Sequence, residues 1–432
     1  MTSSAAHNTA FNPNHLDEVT VTHALAHDQH IPVLQAYFGA DAFAELRALA
    51  HQALAKPADK HAPPVYLLPG LLGSRLGVTT AKGTDLLWLD PLTLLAGKLT
   101  QLAIGKRRSV RPLGLMLPGY LKLKLSLQVA GFRVRPFAYD WRRSVQDLGR
   151  LLADELLHDP AEEVMLVAHS MGGLVARAAL KHAGGAKVTR LIQMGTPNQG
   201  TFALVQALRS CYPTVRKLGA VDQINSADTL TQQVFRSYYS FYEMLPAKRH
   251  TPGLDLFDVR QWPQDALTPS AQRLRDGRRL PRHLAAADRR CHVITGIEQS
   301  TVCGLRRQNN EFIFQFARTG DGTVPAALAA WDGAQHWFVN EVHGQLPRNT
   351  GVCQAAIELL QNETTRLLSN SHQAGTGTVT EYSETELRAV LNGKVRWEQL
   401  PLNERRDLLE PVISPAFSAL CIETAAIHRG PA

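Results

Sequence analysis

Five cysteines, at positions 211, 291, 303, 353 and 421, are too few and too scattered in 432 residues for a disulfide-stapled scaffold. No two of them have the CxxC spacing of a zinc or redox site, so the thiols are read as reduced and the compartment as cytoplasmic. No apolar run approaches the roughly 18 residues needed to span a bilayer, which predicts no transmembrane helix. The first residues, "MTSSAAHNTAFNPNHLDE", lack a basic segment followed by an apolar one, so no secretory signal is expected. Aromatic residues make up only 7% of the chain. They are not interleaved with the basic clusters Lys106-Arg107-Arg108, Arg306-Arg307 and "RLRDGRRLPR" (273–282), as a nucleic-acid platform would require. The net charge of +8 leaves two readings: a solvated basic surface, or peripheral contact with an anionic membrane surface. Internal repeats and long low-complexity tracts are also missing.

Apolar material is plentiful, at 44% of the chain, enough for a large core. Residues 1–62 read as a polar start followed by a helix over Val33–Ala55, and Pro63-Pro64 punctuates the chain. The run "VYLLPGLLGSRL" breaks at Pro69-Gly70, and 86–104 is apolar and partly helical. Strands are predicted at 132–141, 163–168, 188–194, 292–297, 312–317 and 336–342. Helices are predicted at 117–129, 144–158, from 171 onward and at 351–369. Alternating strands and helices imply a mostly parallel central sheet covered on both faces. The expected organisation is an extension over 1–62, an α/β domain over 63–369 with an inserted cap near 205–290, and a second extension over 370–432. The last begins with the linker-like "NSHQAGTGT".

The stretch "VMLVAHSMGGLV" (164–175) ends an apolar run at a serine before a helical pattern resumes. Ala168 and Gly172, two residues before and after Ser170, are small enough to let a strand and a helix pack around a sharp turn. Such a turn exposes the serine hydroxyl as a nucleophile, whereas an ordinary helix cap would leave it inert. A nucleophilic serine needs a base, and the base needs an orienting acid, in the order Ser, Asp or Glu, His. Asp321 follows the strand in "FIFQFARTGDGTVP", and His343 follows the strand in "HWFVNEVHGQLP". Both are expected at C-terminal ends of strands in the parallel sheet, where open sheets build their sites. His336 lies at the wrong end of its strand, and no clear strand precedes Asp332. His169 is read as a packing or hydrogen-bonding residue of the turn. Oxyanion donors are expected from the Met171 N–H, at a helix start, and from the Leu71 N–H after the Pro69-Gly70 turn.

In order along the chain, "VYLLPGLLGSRL", "PFAYDWRRS", "VAHSMGGLVAR", "GTPNQGT", "YYSFYEMLP", "GDGTVP" and "VHGQLP" resemble the lecithin:cholesterol acyltransferase-like α/β hydrolases. That family includes a lysosomal phospholipase and phospholipid:diacylglycerol acyltransferases. The resemblance covers about 63–369. It implies an α/β-hydrolase fold, Ser170 as nucleophile, Asp321 as acid, His343 as base, and Leu71 and Met171 as oxyanion donors. It also implies that the "YDW" around Asp140 shapes the neighbourhood of the site. Two departures stand out. Ala168 takes the place of the usual glycine, and no cysteine between 71 and 130 could close the lid disulfide of secreted members.

The expectation is therefore a serine acyl-ester hydrolase of the lipase, phospholipase or esterase type, working through an acyl-enzyme without metal or organic cofactor. Its partner would be an acyl ester or phospholipid. Transfer of the acyl group to an alcohol is the alternative, and "FRSYYSFYEMLP" (235–246) would cap a lipid pocket in either case. The same triad would serve a protease or amidase, which the lipid-acting resemblance disfavours. A silent α/β-hydrolase fold used for binding is the reading from a different class.

Overall fold

The structure is a computed structural model. It describes residues 16–409 apart from 57, 60, 61, 81, 82, 106–108, 374–377, 391, 392, 402, 403, 406 and 407. The Lys106-Arg107-Arg108 cluster, Cys421, most of the "MTSSAAHNTAFNPNHLDE" start and part of the 370–378 linker lie outside the described residues.

The first elements of the described residues are α1 (Glu18–Ala26), α2 (Ile31–Phe38) and α3 (Ala40–Ala55). Gly39, at φ +85°, breaks the single helix expected over Val33–Ala55 into two. β1 (Val65–Leu68) follows, then β2 (Ser74–Thr80), β3 (Gly83–Trp88), the short α4 (Pro91–Leu95) and β4 (Val110–Leu115). Next come α5 (Leu117–Val129), β5 (Val134–Pro136), α6 (Val145–His158), β6 (Val164–His169), α7 (Met171–Ala179) and β7 (Val188–Met194). Between β7 and β8 (Cys291–Gly296) lie α8 (Ala203–Leu208), α9 (Pro213–Val221), α10 (Ala227–Gln233), α11 (Tyr239–Glu243) and α12 (Ala271–Gly277). β9 (Gln299–Gln308) and β10 (Glu311–Gly320) form a hairpin, followed by α13 (Ala326–Ala329), β11 (Gln335–Val339) and α14 (Thr350–Asn362). β12 (Thr380–Ser383) and α15 (Glu384–Ala389) follow among the described residues.

Six strands in the order β11-β8-β7-β6-β1-β5 form a sheet that is parallel throughout. Its inner strands are largely buried, because helices cover both faces, and β1 and β6 are nearly all apolar. All four residues of β1 are buried, as are five of the six in β6. This is the α/β-hydrolase fold. Two three-stranded antiparallel sheets flank it, in the orders β12-β10-β9 and β3-β2-β4.

Three further expectations are corrected. The strand predicted over 132–141 shrinks to Val134–Pro136 at the sheet edge. After the Phe137 N–H, which donates to the Leu67 carbonyl at 2.9 Å, the aromatic residues leave the ladder and bond to the loop after β1. The closing helix ends at Asn362 rather than 369, because Glu363 adopts a left-handed cap at φ +62°. The strand before Asp321 does not belong to the parallel sheet. It pairs antiparallel with β9 and β12, so Asp321 reaches the site from a side sheet. Its Cα and Cβ nonetheless lie against Gly296, the last residue of β8, where an added Cβ would stand 2.6 Å from the Asp321 Cβ. The bare glycine is what lets the side-sheet turn dock on the end of the parallel sheet.

Candidate active site

Ser170 occupies the corner between β6 and α7 with φ +53° and ψ −125°. Few non-glycine residues adopt a left-handed φ, and such strain costs on the order of 1–3 kcal/mol. The turn is locked by the Ser170 N–H donating to the Met194 carbonyl at 2.8 Å. Tight packing explains the small residues around it. A Cβ on Gly172 would stand 2.6 Å from the Pro69 carbonyl oxygen, and one on Gly70 would stand 2.8 Å from the Ser170 Cβ. Ala168 is fully buried in β6 and paired with Leu68 of β1 and Gln193 of β7, so its methyl group is accommodated there.

His343, after β11, brings its imidazole to both partners. The Ser170 hydroxyl donates to Nε2 at 2.9 Å, and Nδ1–H donates to Asp321 Oδ2 at 2.7 Å. A carboxylate can only accept, so the hydrogen belongs on Nδ1, and Nε2 is left as an acceptor. Asp321 Oδ1 accepts from the N–H groups of Thr323 and Val324 at 2.9 and 2.7 Å. The His343 N–H donates to the Asp321 carbonyl at 2.8 Å, tying the two loops together. All three residues are buried; Asp321 is 1% exposed, His343 2% and Ser170 8%. The structure thus brings together Ser170, Asp321 and His343. His336 lies apart from this cluster, with Nε2–H donating to the Trp331 carbonyl at 3.2 Å.

Leu71 lines a narrow cavity of about 50 Å³ beside Ser170 and His343. Met171 is the first residue of α7, so its N–H is one of the helix's unspent first-turn donors. The loop carrying Leu71 is clamped by aromatic polar ends. Tyr139 O–H donates to the Pro69 carbonyl, Trp88 Nε1–H to the Leu72 carbonyl at 2.8 Å, and Trp141 Nε1–H to the Ser74 carbonyl at 3.0 Å. Asp140 grips Arg142 through two bonds of 2.8 and 2.6 Å, and Arg142 reaches the Leu102 carbonyl at 2.7 Å. The "YDW" element therefore acts on the loop after β1 and on the chain before β4.

Two polar residues of the site escaped sequence reasoning or were read only loosely. Tyr120 of α5 places its hydroxyl 2.7 Å from the Gly70 nitrogen and 2.9 Å from His169 Nδ1. His169 Nε2 lies 3.0 Å from the His343 carbonyl oxygen. Burial holds the His169 pKa well below its ordinary value, and the neighbouring His343 pushes the same way, so the ring is neutral. Among the described residues, no group of three His, Cys, Asp or Glu side chains converges to hold a metal ion.

Residues 126–373, more than half of the chain, match the family described as lecithin:cholesterol acyltransferase. The chain belongs to the lecithin:cholesterol acyltransferase family. Members of this family are acyl-ester hydrolases or acyltransferases of the lipase and phospholipase type, and that is the activity class of this protein. Among solved structures, it is similar to the mature lipase BlEst2 of Bacillus licheniformis at 14% identity, covering 71% of this chain and 94% of that one, with a TM-score of 0.38. It is also similar to a chain of the Tle4-Tli4 complex at 14% identity, covering 68% and 97%, with a TM-score of 0.42. A third similar structure comes from Listeria innocua, the lin2722 gene product, at 12% identity, covering 72% and 99%, with a TM-score of 0.31. No curated protein matches the sequence significantly. No described helix of this family member is long and apolar enough to cross a membrane.

Proposed function

We propose that the protein is a serine hydrolase of lipid acyl esters in which Ser170, His343 and Asp321 form the catalytic triad. The observation that carries this reading is the continuous pair of hydrogen bonds from the Ser170 hydroxyl through His343 to Asp321, at 2.9 and 2.7 Å, on a strained turn. His343 Nε2 takes the serine proton as Oγ attacks the ester carbonyl. Asp321 keeps the ring in the required tautomer and stabilises the imidazolium that forms. The Leu71 and Met171 N–H groups receive the tetrahedral oxyanion, a role whose loss costs roughly 10²–10³ in rate per donor. Proton return from His343 to the departing alcohol leaves an acyl-enzyme, which water then hydrolyses.

The wall of the narrow cavity is mostly apolar, with Leu204, Leu218, Phe235 and Phe241 of the 195–290 segment over the serine. That lining suits an acyl chain rather than a peptide. A volume of about 50 Å³ is far below what a long chain occupies, so those helices must move apart for a lipid to enter. The depth of burial favours one second reading. A covered acyl-enzyme shielded from bulk water would also serve transfer to an alcohol.

The test is labelling with a fluorophosphonate, together with release of p-nitrophenol from short and long acyl esters. Wild type is expected to label at Ser170 and turn over, and Ser170→Ala to do neither. A chain that labels nowhere and leaves both esters and phospholipid vesicles untouched would return the fold to the class of binding modules. Adding a long-chain alcohol to the assay separates hydrolysis from transfer by the product formed.

A further inference from the structure

Tyr120 lies outside the proposed triad, yet its hydroxyl is buried in the middle of the site. The polarity of its bonds can be worked out from one end. The His343 carbonyl can only accept, so His169 Nε2 carries a hydrogen and donates at 3.0 Å. A neutral ring then leaves Nδ1 as an acceptor, and the group facing it at 2.9 Å is the Tyr120 hydroxyl, which therefore donates. The same hydroxyl oxygen accepts from the Gly70 N–H at 2.7 Å. One directed chain thus runs Gly70 N–H to Tyr120 O–H to His169, and His169 Nε2–H to the His343 carbonyl.

This chain joins three segments that the parallel sheet brings together but does not bond to one another. They are the turn after β1, the corner after β6 and the loop after β11. Each bond lands on backbone or on a ring, and none touches Oγ, Nε2 of His343 or the Asp321 carboxylate. Packing alone does not account for the choice of side chains. Apolar rings would fill the same space, whereas here two polar groups are buried with every partner satisfied.

We propose that Tyr120 and His169 are positioning residues that set the spacing between the oxyanion turn at Gly70-Leu71 and the base His343. The proposal rests on Ser170 being the nucleophile. Tyr120 pins the peptide that precedes Leu71, and His169 pins the backbone of the base. The ring of His169 lies 4.8 Å from that of His343 and 5.8 Å from that of Tyr120. A neutral bridge at that distance adds no charge against the imidazolium formed during attack. Sub-ångström spacing between an attacking group and its oxyanion donors is the quantity that a transition state feels and a bound ester does not.

The experiment compares Tyr120→Phe, His169→Leu and His169→Gln with wild type, using p-nitrophenyl ester turnover and the rate of fluorophosphonate labelling. Tyr120→Phe and His169→Leu are expected to lower kcat and the labelling rate by about 10²-fold with KM unchanged. The double variant should be no worse than either single one, because each breaks the same chain. Glutamine presents one acceptor and one donor, so His169→Gln should recover most of the loss. Thermal unfolding of each variant supplies the control. If the losses follow Tm rather than hydrogen-bonding capacity, or if Tyr120→Phe labels and turns over like wild type, the positioning role is wrong. Should wild type itself fail to label at Ser170, the nucleophile reading falls and takes this proposal with it. Normal labelling of wild type and of Tyr120→Phe would sink the positioning role alone.

Discussion

The two ends of the described chain are fastened to the body by different balances of apolar burial and charge. Helices α1–α3 dock by shape and oil. Val21, Leu25, Leu34, Phe38, Phe43 and Leu46 form a separate small core with Leu117, Leu121 and Leu125 of α5. The segment from β12 to residue 399 buries Leu387 and Trp397 in the main core and adds a denser set of charge and backbone bonds. Arg209, at the end of α8, is 1% exposed and bonds bidentately to both Glu384 and Asp265, at 2.6–2.9 Å. Lys394 Nζ donates to the carbonyls of Gly219, Asp222 and Asn225 at the end of α9, and the Val395 N–H donates to the Ala220 carbonyl at 2.8 Å. The first attachment is mainly apolar, with the Lys122–Glu45 ion pair at 2.6 Å and the bond from Arg75 to the Leu16 carbonyl beside it. The other is directional, and it grips α8 and α9, whose residues Leu204 and Leu218 line the cavity over Ser170.

Removing one partner should separate the two attachments most sharply. Glu384→Ala leaves the Arg209 guanidinium with only Asp265, and truncating a buried ion pair typically costs about 3–5 kcal/mol. Chemical denaturation is expected to report a loss of that size, and hydrogen exchange should show β12 and α8 opening together. A smaller effect belongs to the other end. Leu25→Ala should cost about 2–3 kcal/mol, the low part of the range for buried leucines, because a small core can partly collapse on the gap. Exchange should then rise in α1–α3 while β12 stays protected. If both substitutions open both ends, the attachments are one cooperative unit, and the contrast fails.

Acid should give the smallest and most selective difference. Burial alone would raise the Asp265 pKa, but its bonds to Arg209 outweigh burial and hold it below the usual carboxylate value. A lowered folded pKa means that stabilisation is present above the unfolded value and is lost as pH falls through the folded one. Asp28 is also held low, by Arg47 and His51 within α1–α3, but that pairing is exposed and screened, so lowering the pH below about 4 should raise exchange at the β12–β10 amides more than in α1–α3. Equal response at both ends would show that the charge cluster contributes little.

These contrasts also explain what could be read from the chain. The turn at Ser170 was legible because strand, corner and helix are contiguous, and each leaves a periodic signature. Asp321 and His343 followed from their order, although the strand before Asp321 was assigned to the wrong sheet. A run such as "FIFQFA" looks alike in a parallel sheet and in a hairpin, and only pairing partners distinguish them. The strand over 132–141 was overread because its alternation continues past Pro136, into side chains that serve the neighbouring loop. Tyr120 stands 50 positions from Gly70, on a helix whose pattern announces only an apolar face. Arg209 and Glu384 are 175 positions apart, and a charge pair at that separation has no period to detect. Local geometry writes itself into sequence, whereas polar contacts between distant segments do not.

The left-handed φ at Ser170 has one more consequence, for anyone who would improve this protein. Glycine adopts that backbone freely, so Ser170→Gly should fold more readily than the natural chain. A screen that rewards heat resistance or soluble yield alone would therefore enrich sequences that have discarded the hydroxyl. With Ser170 as the proposed nucleophile, robustness and reactivity would compete for this single position, and directed evolution would have to select for turnover in every round.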